Sequence, residues 1–401
     1  MMDKRKILVT TTTFPRWESD STPLFVFELA RRLASTYDVT VMAPHYDGAK
    51  KRERMGEVTV VRYQYFWPAS LQKLCYRGGI QPNLKRNKLL YIQVPLLFLF
   101  QLLATVRLVR RERIHLIHAH WIVPQGFLAA LASKITDIPF VVTIHGDDIL
   151  QARSIIGRSL IQYCLSRCSE CTVNSTATGQ LTGHASTRAL ISTIPMGVSV
   201  ETFNPLKRSM SLRASLHITG PWLLFVGRLA EKKGVRYLIE AMPRILEKYS
   251  DAVLVVIGDG VLKDQLYDAV NALHIKKSVK FIGSLPNSQL PPYFATADVF
   301  IGPSTSDGLE GLGVVFLEAL ASGVNVVASD VGGISDIITN GMTGMLVPEK
   351  QPRAIADAVI ELLNNAPLRH TLKQNGLERV YRQFSWDSVT SRFIEVFQKY
   401  I

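Results

Sequence analysis

An α/β fold with two parallel-sheet domains is predicted for this chain on three observations. Short β-branched runs alternate with helical patterns along its whole length. That rhythm pauses once, in a Pro- and Lys/Arg-containing stretch from Pro205 to Pro221, and then restarts. At 401 residues the chain is long enough for two separate cores. A composition of 47% hydrophobic and 20% charged residues excludes a disordered chain and fits an ordinary globular enzyme.

In the first half, strands are expected at Lys6–Thr13, Asp38–Ala43, Val58–Tyr65, Ile114–Trp121, Phe140–His145 and Cys171–Ser175. Helices between them include Leu24–Ala34 and Gln125–Lys134. In the second half, strands are expected at Trp222–Leu229, Ala252–Gly258, Val279–Gly283, Asp298–Gly302 and Asn325–Ser329. The halves read as Rossmann-like domains, 1–205 and 206–384. In open sheets of this kind the ligand lies beyond the carboxyl ends of the strands, so the two domains are expected to face each other across a cleft.

Charge is unevenly placed. Residues 1–200 hold 25 Lys/Arg against 13 Asp/Glu, a net of +12, whereas residues 201–401 hold 21 against 20, a net of +1. The basic half points to an anionic surface, a membrane rather than nucleic acid, since no motif that reads DNA or RNA accompanies it. The start, MMDKRKILVTTTTF, reads as a first strand rather than a signal peptide, so a cytoplasmic location is expected. Cys164, Cys168 and Cys171 have a spacing used by iron–sulfur sites, but they fall on a helix and the next strand and read as buried thiols.

Leu89–Val109 is long and apolar enough to consider as a membrane span, although Pro95 interrupts it and Lys/Arg flank both ends. A buried crossover helix and a helix lying in the membrane interface are the other two readings, and these two are compatible.

Glu310 and Glu318 frame the segment EGLGVVFLEALASG, which reads as a buried helix opening just after Glu310. Gly311 and Gly313 let a ligand approach the backbone, and a helix start favours an anion such as a phosphate. Carboxylates accept hydrogen bonds from sugar hydroxyls, so the segment suits a nucleotide-sugar; a capped core helix with two solvated acids is the plainer alternative. About 80 residues earlier, GRLAEKKG (Gly227–Gly234) puts Arg228 and Lys233 at a strand's carboxyl end, where a diphosphate would be gripped.

Together these segments resemble the family 4 retaining glycosyltransferases, also called glycosyl transferases group 1, which have the GT-B fold. FVGRLAEKKG, VIGDG (Val256–Gly260), FIGSLP (Phe281–Pro286), ADVFIGPS (Ala297–Ser304) and the run Glu310–Gly333 carry the resemblance. IHAHW (Ile117–Trp121), TIHGDD (Thr143–Asp148), IPMGV and FSWDSVTSRFIEVF (Phe384–Phe397) add to it, the last resembling the family's terminal helix, which implies a helix at 385–401 that crosses back onto the first domain. The resemblance implies that Arg228 and Lys233 bind the donor diphosphate, that backbone amides of Gly311, Leu312, Gly313 and Val314 hold the phosphates, and that Glu318 bonds the ribose hydroxyls. It places Glu310 at the donor sugar, the base near Gly258, Ser284 and Leu285, and His145 at the reacting centre. A lone histidine at a strand end is otherwise more often structural. Asp147 and Asp148 are read as structural or acceptor-facing.

One departure concerns the loop after the first strand, FPRWESDSTP, which lacks the Gly-Gly turn of many relatives. Arg16, Ser21 or Thr22 is the substitute expected there for phosphate or acceptor contact. The implied activity is transfer of a sugar from a UDP- or GDP-linked donor to a hydroxyl of a glycan or lipid-linked acceptor, without metal or cofactor. The enzyme is expected at the inner face of the cell membrane. A nucleotide-sugar 2-epimerase of the same fold and a non-catalytic, membrane-associated glycan-binding protein are the alternatives.

Overall fold

The computed structural model describes residues 4–17, 20, 22, 24–76, 78–185, 189–308 and 311–401. It divides into two compact units, one of Met1–Pro195 with Val389–Ile401 and one of Met196–Ser388. The division thus falls ahead of the boundary expected at Pro205.

The first unit is built on strands β1 (Lys6–Thr10), β2 (Asp38–Pro44), β3 (Arg52–Met55), β4 (Val58–Tyr63), β5 (Leu116–His120), β6 (Phe140–Ile144), β7 (Glu170–Val173) and β8 (Ile191–Thr193). Their order is β3-β4-β2-β1-β5-β6-β7-β8. All neighbours are parallel except β3 and β4, which form an antiparallel hairpin at one edge. Sequence reading missed β3 because its RERM has none of the β-branched residues that mark a strand; a charged edge strand resists pairing with other chains. The helix Phe25–Leu33 buries Val26, Leu29, Ala30 and Leu33, the spacing of one helical face.

The second unit contains β9 (Trp222–Val226), β10 (Val253–Ile257), β11 (Val279–Gly283), β12 (Val299–Gly302), β13 (Asn325–Ser329) and β14 (Met345–Val347). All are parallel, in the order β11-β10-β9-β12-β13-β14. The run VLVVI of β10 is buried at every position, as expected of a strand covered on both faces. Helices Val235–Lys248 and Pro352–Asn364 pack together over one face of this sheet.

The direction in which successive strands are added to the sheet reverses at two places, between β1 and β5 in the first unit and between β9 and β12 in the second. Loops leaving the carboxyl ends of strands that flank such a reversal part from one another and open a crevice.

The terminal helix Trp386–Gln398 covers the expected segment, and its residues from Val389 belong to the first unit. There Phe393 and Phe397 lie 5.3 Å and 5.1 Å from the His118 ring. Beyond the helix, Lys399 Nζ reaches the fully buried Glu170 carboxylate at 3.1 Å, and Tyr400 Oη donates to the same oxygen at 3.1 Å.

The long apolar segment is a crossover helix, Gln93–Glu112, preceded by a tight helical turn at Lys88–Ile92. Pro95 falls in its first turn, where a missing N–H costs nothing, so it does not interrupt the helix. Burial does not follow apolarity here. Gln93, Gln101 and Thr105 face inward with Leu97, Leu108 and Val109, whereas Leu99 and Leu103 face solvent.

Candidate active site

The reversal point of the second unit gathers most of the predicted donor residues. Arg228 follows β9 and is exposed, and Lys233 closes the short turn Glu231–Lys233. The loop after adjacent β12 touches this turn, because Thr305 N donates to Lys232 O at 2.9 Å. Gly234 makes the contact possible: at φ +62° its missing Cβ would lie 1.8 Å from Pro303 O.

Glu310 and Ser21 lie outside the described residues. The helix expected to open just after Glu310 begins instead at Val314, with Gly313 ahead of it at φ +78°. Gly311, Leu312 and Gly313 therefore form a non-helical entry to the helix. Glycine at the cap position supplies no side-chain cap, and among the described residues no side chain takes the first N–H groups, the arrangement that accepts a phosphate. Gly302 gives this helix its close seat, since a Cβ there would meet the Phe316 ring at 2.3 Å.

Glu318 lies on the helix Val314–Ala321, and Asn287 Nδ2 donates to its Oε1 at 2.9 Å. Desolvation pushes the Glu318 carboxyl up to about 7, against the opposing effect of the Asn287 bond. Sequence reading did not single out Asn287. Its place three residues past Ser284, in the loop after β11, was the available signal.

The base-pocket residues come together as a layer of backbone. Gly258, at φ +145°, packs so closely that a Cβ would lie 1.8 Å from Gly227 O, and its N–H donates to Gly283 O at 2.9 Å. Ser284 and Leu285 continue directly from that junction, Ser284 exposed and Leu285 partly so.

In the first unit, His120 ends β5 and pairs in register with Thr143 of β6, so His145 projects on the same face two residues later. His120 Nδ1 and His145 Nε2 are 2.9 Å apart, and His118 Nε2 lies 2.7 Å from Thr143 Oγ1. Burial brings His145 and His118 down to about 3 and His120 well below its ordinary value, so all three imidazoles are neutral at pH 7. The backbone of His145 is clamped: its N–H donates to Asp148 Oδ1 at 2.9 Å and its carbonyl accepts from Asn174 Nδ2 at 2.8 Å. Asp148 Oδ2 also holds Ile122 N at 3.0 Å, which makes this buried carboxylate a structural clamp.

The loop after β1 departs from expectation. Arg16 is committed to Asp20 through Nε–Oδ2 at 2.8 Å and Nη2–Oδ1 at 2.6 Å, and stacks 4.5 Å from the Tyr46 ring centre. Thr22 Oγ1 donates to the same carboxylate at 3.0 Å. Both side chains brace their own loop through Asp20, whose carboxyl is held at about 2; burial raises it, and the Arg16 and Thr22 hydrogen bonds outweigh that effect. Beside the Tyr46 ring lies a cavity of about 430 Å³ lined by Tyr46, Ser70, Gln72, Lys73, Tyr76 and Arg86.

Cys164 and Cys171 are buried, and desolvation raises all three neighbouring thiols, Cys168 to about 12. These thiols are held against ionisation, as in apolar packing.

Comparison with known proteins gives the family. Residues 24–202 match the model of Glycosyltransferase Family 4, and residues 212–379 match that of Glycosyl transferases group 1. The chain is 38% identical over 176 residues to an uncharacterised glycosyltransferase of Methanocaldococcus jannaschii, an overlap of 44% of each chain. It is 30% identical over 275 residues to the phosphatidyl-myo-inositol mannosyltransferase of Mycobacterium leprae, covering 68% of this chain and 70% of that one. In fold it is similar to the sucrose-phosphate synthase of Thermosynechococcus elongatus, with a TM-score of 0.78 at 19% identity over 99% of both chains. Two Rossmann-like units and matches across both halves lead to one assignment: the chain belongs to the family 4, group 1 glycosyltransferases of GT-B fold, a retaining family whose members depend on nucleotide-sugars.

Proposed function

We propose that the enzyme moves a sugar from a UDP- or GDP-linked donor to a hydroxyl of a glycan or lipid-linked acceptor, with retention at the anomeric carbon. The observation that carries this reading is the contact between the loops after β9 and β12, which brings Arg228 and Lys233 to the same strand ends as the uncapped helix start at Gly313. A diphosphate on those amides would place its leaving oxygens beside two cations, which act most strongly as negative charge grows there. Those cations serve where other enzymes use a divalent ion. Glu318 takes the ribose hydroxyls, and Glu310 orients the donor sugar.

In the favoured route the acceptor oxygen bonds to the anomeric carbon on the face the diphosphate leaves. The carbon–oxygen bond to phosphate breaks, and a leaving phosphate oxygen takes the acceptor proton, giving the glycoside and the nucleoside diphosphate. A neutral His145 orients hydroxyls by hydrogen bonding rather than by charge. The polar cavity beside Tyr46 and Tyr76 suits the acceptor's hydroxylated or anionic end.

A lipid-linked acceptor in cell-surface glycan or glycolipid synthesis, at the inner membrane face, fits the basic first half and the named lipid substrate of the mycobacterial relative. The test begins with a thermal-shift screen of UDP- and GDP-sugars, then compares turnover of Lys233→Ala and Glu310→Ala. Both variants should keep the fold and lose most of kcat. Wild-type rates in both would overturn the reading, and donor consumed to an epimer without an acceptor would replace it by epimerisation.

A further inference from the structure

The helix Gln93–Glu112, with the turn before it, is long and apolar enough to cross a membrane, yet only 28% of its most apolar window is buried. Its inward face carries hydrogen-bonding side chains among Leu97, Leu108 and Val109. Gln101 Oε1 accepts from Tyr63 Oη at 2.9 Å, Gln93 Nε2 donates to Leu71 O at 2.8 Å, and Thr105 is fully buried. These bonds fasten the helix to β4 and to the turn Ala69–Leu71 that follows it, so a spanning orientation would have to break them in a solvent that replaces none.

The outward face is the apolar one. Leu99 and Leu103, one turn apart, are 50% and 55% exposed. The preceding turn adds Leu89, Tyr91 and Ile92 at 75%, 60% and 64%. Towards its carboxyl end the same helix changes character. A groove of about 660 Å³ is floored by Leu103, Val106 and Ile135 and rimmed by Arg107, Arg110 and Arg111, all three exposed.

We propose that this outward face docks onto an anionic phospholipid leaflet, with Leu99, Leu103 and the Leu89–Ile92 turn in the acyl boundary and the three arginines on headgroup phosphates. Apolar contact next to clustered cations is the chemistry of an interfacial helix, and one signal alone binds weakly. The net +12 of residues 1–200 attracts the same surface at longer range. This deepens the membrane-associated reading of the function and commits the face to lipid rather than to a second protein chain.

The test is co-sedimentation of the full chain with vesicles of phosphatidylcholine, with and without phosphatidylglycerol. Binding is expected on the anionic vesicles and should fall steeply as salt rises. L99D/L103D should weaken it by tenfold or more. R107S/R110S/R111S should remove the preference for phosphatidylglycerol, each arginine contributing about fivefold. Inorganic phosphate at matched ionic strength should not compete, which separates a membrane headgroup from a free phosphate. Equal sedimentation of wild type and both variants, or no sedimentation at all, overturns the proposal. So does a dimer in ultracentrifugation that L99D/L103D abolishes, because the face would then belong to a second copy. The UDP and GDP thermal shifts are recorded on the same samples. Unchanged shifts show that the variants are folded, and they keep failure of lipid docking distinct from failure of the glycosyltransfer reading.

Discussion

His120 Nδ1 stands 2.9 Å from His145 Nε2, while the far nitrogen of His120, Nε2, is buried without a hydrogen-bond partner among the described residues. Neutral imidazoles share one proton across such a contact, and its position fixes both tautomers. Buried N–H groups are orphaned more rarely than acceptors, so the proton sits on His120 Nδ1 and His145 carries its own on Nδ1. Side-chain nitrogen NMR should find that tautomer at His145 in the wild type. His120→Phe should mix the tautomers and lower kcat by roughly tenfold to a hundredfold with little change in donor KM. His120→Asn, which keeps a donor near Nδ1, should restore most of the rate.

Glu318 should make nucleotide affinity pH-dependent. Its carboxyl sits at about 7 in the empty protein, and in the proposed role it binds ribose hydroxyls more strongly as the ionised acceptor. Affinity for UDP or GDP should therefore rise with pH through about 7 and fall by up to about tenfold per unit below it. The folded value lies above that of the unfolded chain, so the stability this group lends is present at low pH and lost as pH rises through about 7. Glu318→Gln should flatten the calorimetric pH profile and weaken binding at pH 8, yet stabilise the empty protein there by about 2 kcal/mol.

Gly234 is a backbone requirement. An alanine Cβ would overlap Pro303 O at φ +62°, so Gly234→Ala must part the two donor loops. Thermal melts should fall, and the nucleotide-induced shift should vanish. Gly283 is the control: it has φ +83° but open space around its Cβ position. Gly283→Ala should cost only about 1 kcal/mol.

The carboxyl terminus holds a buried charge. Glu170 is 0% exposed, and Lys399, Tyr400 and Ser192 all reach its carboxylate. Replacing Lys399 by Ala and Tyr400 by Phe together should lower stability by about 2–4 kcal/mol in denaturant titrations, whereas Glu170→Gln in that background should recover part of the loss.

The donor half was legible because its signals are local. A strand-end GRLAEKKG and a glycine-flanked helix start are contiguous in sequence, and parallel strands such as VLVVI announce themselves as unbroken apolar runs. What depended on tertiary register was not legible. His120 gains its meaning from the pairing of β5 with β6, and Asn287 from the approach of a loop to a helix. Arg16 and Thr22 had the right chemistry for a phosphate, but Asp20, four and two residues away, occupies both. Hydropathy gave the length of the crossover helix but not its facing, because three hydrogen-bonding side chains set the orientation.

The polar seam under that helix sets how the proposed docking would end. A segment pinned by Tyr63 and the Leu71 carbonyl has no route to slip deeper into hydrocarbon. The proposed docking through such a part would be a property of the entire folded body, shed intact when charge is screened, and repeated visits would need no unfolding.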